Sequence, residues 1–386
     1  MVLSGQLQKI PKNIMSKGVH MQWYNNFPEE IKQFILKLKK QPRFAEELAK
    51  FGYAVYQLYQ KSSSKKELGE KIAVKALEME PDNLQVRFHA EWVLEKKVPR
   101  WHFNIIKDEL RNNIYDKALR KFVKQESIVL EIGTGTGLLA MMAAHAGAKK
   151  VYTCEMEPLV GQAARENILK NNLQDQISVI LKKSTELKIG NDLPERADVL
   201  VSEITNNNLL GEYVLPIMED AMTRLLKKDA VILPGQIAVR GALVGEISTI
   251  LPFFNIQNIH GFDLSAFNRF KPLTYPIDKT NLKQIMPNAL SEPLELLRFD
   301  FTSQKHFKEQ TKTLKMPVNR TGKAYGLVKW ILLQFTEDLI YENKPPLESC
   351  WAPILHIFPK PIPVTKGELF PLCVTHNQEN IRIYSE

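Results

Sequence analysis

The stretch Ile128-Val129-Leu130-Glu131-Ile132-Gly133-Thr134-Gly135-Thr136-Gly137 decides the fold. Its first half is a short apolar strand, and its second half alternates glycine with threonine. Glycines here let the backbone turn tightly and approach a ligand closely. Leu138 to Ala146 then reads as a helix, Val151 to Glu155 as a second strand and Gly161 to Asn171 as a second helix. Ile177 to Leu181 and Asp198 to Ser202 add a third and a fourth strand. Strands alternating with helices predict a parallel sheet covered on both faces.

A glycine loop alone fits several nucleotide-like ligands. Two details favour S-adenosylmethionine. The glycines follow the order G-x-G-x-G, and Leu138 stands where a dinucleotide loop would want a third spaced glycine. Glu131, just before the loop, would repel a pyrophosphate but not a cationic sulfonium. Glu155 ends the second strand about 20 residues on, where a carboxylate can accept ribose hydroxyls. The candidate cofactor contacts are therefore Glu131, Gly133, Thr134, Gly135, Gly137 and Glu155. Ser184-Thr185-Glu186 follows the third strand at the level expected for the adenine, and an ordinary polar turn reads those residues equally well.

Outward from this core the pattern changes twice. After Leu233-Pro234-Gly235, short apolar runs such as Leu327 to Phe335, Pro353 to Phe358 and Leu369 to Val374 suggest an antiparallel β domain. Residues 256–286 fit neither pattern and read as an inserted arm. Upstream, Phe27 to Leu94 is helical: Ile31, Phe34, Ile35 and Leu38 recur at helical spacing, as do Leu48, Phe51, Val55 and Leu58. Gly69, Ala73 and Ala76 would let paired helices approach, and Pro81 would end a helix. This resembles one or two degenerate tetratricopeptide repeats, and a plain helical cap reads equally well. The expected division is a polar segment 1–20, a helical region 21–98, a cofactor domain 99–233 and a β domain 234–386.

After the fourth strand comes Ser202-Glu203-Ile204-Thr205-Asn206-Asn207-Asn208-Leu209-Leu210-Gly211-Glu212. Two carboxylates bracket a polar loop at the carboxyl end of the sheet, where open α/β sheets place ligands. Such a pair can grip a guanidinium through charge-assisted hydrogen bonds. Taken together, the glycine loop, Glu155, the Glu203–Glu212 loop, Lys107-Asp108-Glu109-Leu110-Arg111-Asn112 and Thr375-His376 resemble the protein arginine methyltransferase family over about residues 100–386. The resemblance implies a Rossmann-like cofactor domain, a β barrel and a dimerisation arm at about 256–286. It implies that Glu203 and Glu212 hold the substrate guanidinium, that Arg111 binds the cofactor carboxylate and that His376 belongs to a catalytic histidine loop. Two branches are nearest. Arg100-Trp101-His102-Phe103 resembles the repeat-carrying branch, which forms symmetric dimethylarginine. Leu209-Leu210-Gly211-Glu212 is similar to the monomethylating type III branch. Asn377 stands where many members have Trp, and Asn206-Asn207-Asn208 replaces bulky or acidic residues.

Composition narrows the partners. Lys and Arg number 52 against 43 Asp and Glu, but the basic residues are scattered, which argues against nucleic acid. No apolar run reaches membrane-spanning length and the N-terminus lacks a secretory h-region. Three cysteines without metal-ligand spacing suggest a reducing, cytoplasmic setting; nuclear entry or export to another cell stays open. The expectation is a homodimer that methylates arginine in proteins with no metal, and whose helical region offers a surface to a protein partner. The alternatives are a methyltransferase for nucleic acid or a small molecule, and an interaction protein with a degenerate methyltransferase domain.

Overall fold

The computed structural model describes residues 23–58, 63–95, 97–245, 247, 256–347 and 349–385. The polar segment expected at 1–20 lies outside them. The chain divides into two compact units, Met1–Pro99 and Arg100–Glu386.

The first unit contains four helices: α1 (Glu29–Leu38), α2 (Phe44–Leu58), α3 (Ser63–Met79) and α4 (Leu84–Leu94). Pro28 caps α1, and the Asn83 side chain accepts from the Gln85 and Val86 amides to start α4. Ile35, Leu48, Ile72 and Val86 are fully buried in its core. α2 and α3 pack with their backbones in near contact. A Cβ on Gly69 would lie 2.5 Å from the Tyr56 nitrogen.

The second unit opens with α5 (Trp101–Ile106) and α6 (Glu109–Phe122), and then alternates strand and helix. β1 (Ile128–Ile132), α7 (Leu138–His145), β2 (Lys150–Cys154), α8 (Pro158–Lys170), β3 (Ile177–Ile180), β4 (Ala197–Ser202), α9 (Val214–Arg224) and β5 (Leu226–Leu233) follow. All five strands are parallel, in the order β3-β2-β1-β4-β5. Strand β5 escaped the sequence reading because Lys227, Lys228 and Asp229 hide its apolar half. The order reverses between β1 and β4, so the loops after these two strands open onto one crevice.

The remaining strands are β6 (Gln236–Val244), β7 (Asn258–Ile259), β8 (Phe262–Asp263), β9 (Thr274–Pro276), β10 (Leu294–Asp300), β11 (Gln310–Pro317), β12 (Gly322–Gln334), β13 (Ile340–Glu342), β14 (Ile354–Val364), β15 (Leu369–His376) and β16 (Ile381–Ser385). They form antiparallel sheets, one ordered β10-β6-β12-β14-β9 with β13 beside β12, another β11-β15-β16, and a β7-β8 pair. On β12, Leu327, Ile331 and Leu333 join the main core, whereas Val328 and Trp330 pack on the other face against Leu282 and Ile285 of α10 (Lys279–Ile285). The stretch that fitted no pattern, 256–286, combines the short hairpin, β9, a one-sided helix and exposed apolar side chains.

Candidate active site

The glycine loop and the acidic loop meet at that crevice. Ile132 and Ser202 are register partners on β1 and β4, so Gly133 and Glu203 leave the sheet side by side. Gly133 and Gly135 have φ of +91° and +53°, and a Cβ on Gly135 would point into open space. Only glycine takes such angles without strain, and the bare backbone leaves room for a ligand. Glu155 turns toward this loop: its carboxylate accepts from the Gly135 amide at 3.0 Å and the Glu157 amide at 2.9 Å.

Beneath the loop, Glu131 is fully buried and takes a bond from the Thr153 hydroxyl at 2.5 Å. Thr153 is in turn 2.6 Å from the Thr134 hydroxyl. Glu131 Oε1 has no partner. Burial pushes this carboxyl up to about 8, against the pull of the Thr153 bond. Through Thr153 it supports the loop from below. Ser184 is buried in a one-turn helix, whereas Thr185 and Glu186 are exposed. Gly137, at φ +85°, caps α7.

α6 brings Arg111 to the acid pair. Asp108 caps that helix by accepting the Arg111 amide at 2.9 Å, and its other oxygen accepts Tyr341 Oη at 2.8 Å and the Cys350 amide at 2.9 Å. The Arg111 guanidinium is buried, bonds Glu203 Oε2 through Nη2 at 2.8 Å and lies over the Tyr115 ring. Its Nε has no partner. A buried donor left open fits a ligand carboxylate, since buried N–H groups are nearly always satisfied. Burial raises the Glu203 pKa and Arg111 opposes it. Glu212 is pushed up to about 7, first by burial and then by Glu203 and Glu155. Glu155, Glu203 and Glu212 thus act on one another with, among the described residues, the Arg111 guanidinium bonded to Glu203, and the arrangement favours a second cation.

The loop between the acids is fastened from the antiparallel sheets. Trp351 Nε1 donates to the Thr205 carbonyl at 3.1 Å, and the Asn207 side chain accepts the Ala352 amide at 3.1 Å. Asn206 accepts the Asn208 amide at 2.9 Å. Leu209 and Tyr213 are held at φ +71° and +59°. Such conformations cluster at functional sites, where surrounding structure enforces them.

His376 sits apart from the bonds that join these groups. It ends β15 in the three-stranded sheet, its ring stands edge-on to Phe299 at 5.0 Å, and Nδ1 accepts the Gln378 amide. No bond or ring contact of His376 to Glu203 or Glu212 occurs among the described residues. The segment Ser349-Cys350-Trp351, just before β14, reaches the loop between the acids at Thr205 and the α6 cap at Asp108. The sequence reading passed over it, although a tryptophan in a Pro- and Ser-containing break before an apolar strand was a usable signal.

Comparisons with known proteins point the same way. Residues 116–261 match the family model described as ribosomal protein L11 methyltransferase. An arginine N(ω)-methyltransferase of Streptomyces achromogenes subsp. streptozoticus is 33% identical over 314 residues, covering 80% of this chain and 84% of that one. Protein arginine N-methyltransferase 7 of Oryza sativa subsp. indica is 29% identical over 72% of this chain, and human protein arginine N-methyltransferase 9 is 27% identical over 72%. The chain spans only 44% and 36% of the length of those two. The Trypanosoma brucei PRMT1 enzyme–prozyme complex with AdoHcy aligns with a TM-score of 0.65 at 23% identity, covering 75% of this chain and 93% of that one. Arabidopsis thaliana protein arginine methyltransferase 10 aligns at 0.57 and 20%, covering 74% and 95%. At these identities the structural likeness speaks to the fold alone.

Proposed function

This chain belongs to the protein arginine N-methyltransferase family, and from that premise we propose that it transfers a methyl group from S-adenosylmethionine to a guanidinium nitrogen of arginine in proteins. The observation that carries this reading is the convergence of Glu203 and Glu212 beside the glycine loop, with Arg111 already paired to Glu203. The bound cofactor supplies an electrophilic methyl group on sulfur. Arg111 would hold its carboxylate through the open Nε, Glu155 its ribose, the Gly133–Gly137 turn its close approach, and the Ser184–Glu186 turn its adenine. Glu203 and Glu212 orient the acceptor guanidinium and draw its positive charge toward the nitrogens they bind. Another nitrogen is left free to attack, and positioning with electrostatics supplies the acceleration.

The test is to incubate the protein with labelled cofactor and a cell lysate, then hydrolyse and identify labelled residues by mass spectrometry. Methylated arginine is expected, and its form reports the product type. Label confined to lysine or nucleic acid would sink the reading. Glu212→Gln should lose at least about a hundredfold in transfer, in line with removal of a charge-stabilising group, while calorimetry still finds the cofactor bound.

A second reading keeps the chemistry and changes the acceptor to free arginine. It is favoured by the 33% identical relative, whose name specifies arginine and not protein.

We further read the antiparallel sheets as a barrel and 256–286 as a dimerisation arm. Ile259, Phe262, Leu264, Phe267, Phe270 and Leu273 are exposed there, apolar side chains gathered on one segment, which supports an interaction surface. The first unit supports a repeat-like reading through the close α2–α3 pair. The exposed Leu84, Phe88 and Trp92, four apart on α4, support a surface for a protein partner. Three free cysteines support a reducing compartment.

A further inference from the structure

One buried group near the acidic loop has no place in the reaction just described. Lys329 lies on β12 and is 2% exposed. It shares strand parity with Leu327, Ile331 and Leu333, so it faces the main core from inside the antiparallel domain. Its ammonium donates to the Asn208 side-chain oxygen at 2.9 Å, and Asn208 lies midway between Glu203 and Glu212. His356, the other titratable group facing it, is held neutral: burial and the charge of Lys329 pull it down to about 4.

Lysines are almost never buried without an anionic partner. An ammonium has three donors, and one neutral amide satisfies one of them. Burial alone pulls Lys329 down to about 8, with no carboxylate acting to raise it. A perturbed ionisable group beside a catalytic loop is a candidate for ligand recognition. Between the two glutamates, residues 204–211 carry no acid, and three asparagines occupy the centre.

We propose that Lys329 binds a carboxylate of the acceptor, so that the preferred acceptor is an arginine with a carboxylate within reach of its guanidinium. The inference rests on the reading of Glu203 and Glu212 as the guanidinium site. The acceptor would then be held at both ends, its cationic head by the two glutamates and its anionic group by the lysine across the asparagine loop. The carboxylate has two sources, the α-carboxylate of free arginine or an acidic residue next to arginine in a peptide.

The experiment compares kcat/KM in two pairs of acceptors: L-arginine with L-argininamide, and end-blocked peptides with Glu or Ala beside a single Arg. Removal of the carboxylate should lower kcat/KM at least about tenfold in one pair, the size of a hydrogen bond to a charged group. The pair that responds identifies the source. Lys329→Met should erase that preference, mainly through KM, and Lys329→Arg should restore part of it, with melting temperatures reporting that both variants fold. Less than a twofold effect in both pairs overturns the proposal, and this comparison needs only the unaltered protein. Equal loss on all acceptors in Lys329→Met also overturns it, because the lysine would then only prop the loop. Methylarginine formed without carboxylate preference leaves the arginine reading standing; no methylarginine from any acceptor removes both.

Discussion

A carboxylate that must hold a cation works only when ionised, and Glu212 sits where ionisation is opposed by burial, Glu203 and Glu155. Its pKa of about 7 in the free protein sets the sign of the pH response. Below that value Glu212 is protonated and the guanidinium site is half built; above it the pair is complete. The acceptor kcat/KM should therefore fall roughly tenfold per pH unit below about 7. The limb in kcat should lie lower, since a bound guanidinium stabilises the ionised form. An acceptor profile flat down to pH 5 would contradict the role given to Glu212. At this scale much was legible. Glu131, Gly135, Glu155 and Glu203 stand at or just past the ends of strands, which show in the sequence as the points where apolar runs stop, and Glu212 closes the loop that one of those ends begins. Cys350, Trp351 and Lys329 were hidden because they reach the site across sheets, and no local period announces a contact 146 residues away, such as Trp351 to Thr205.

Elements follow their local signals where an apolar run is closed by a turn residue. β1 runs over the residues that its apolar pattern marks, and α7 begins after Gly137 because the left-handed glycine ends the turn there. Signals fail where charges sit on a buried element, as in β5, or where an element has no core of its own, as between Asn258 and Pro276. The α2–α3 pair shows a requirement that periodicity only hints at. A side chain on Gly69 would meet the backbone at Tyr56 and Gly52, and backbone atoms cannot swing aside. Gly69→Leu should destabilise the helical unit by about 1–3 kcal/mol, the usual cost of overpacking. Denaturant unfolding followed by circular dichroism would measure it, and an unchanged midpoint would contradict the close packing.

At the scale of the whole molecule, the exposed apolar arm makes a prediction about assembly. Paired Phe262→Glu and Phe270→Glu changes should convert a dimer to a monomer in sedimentation analysis, because they put charge into an apolar contact. If the unaltered chain sediments as a monomer at all concentrations, the arm has another use. The fastening of the acidic loop bears on how such a chain can change over generations. Thr205 and Asn207 are held by groups that precede β14, and Asn208 by a group on β12. A recombination that joined this cofactor half to a foreign C-terminal half would keep every glycine and glutamate yet lose the grip on the loop between the acids. New acceptor preferences are then reached by paired substitutions across the seam, and seldom by exchange of whole modules.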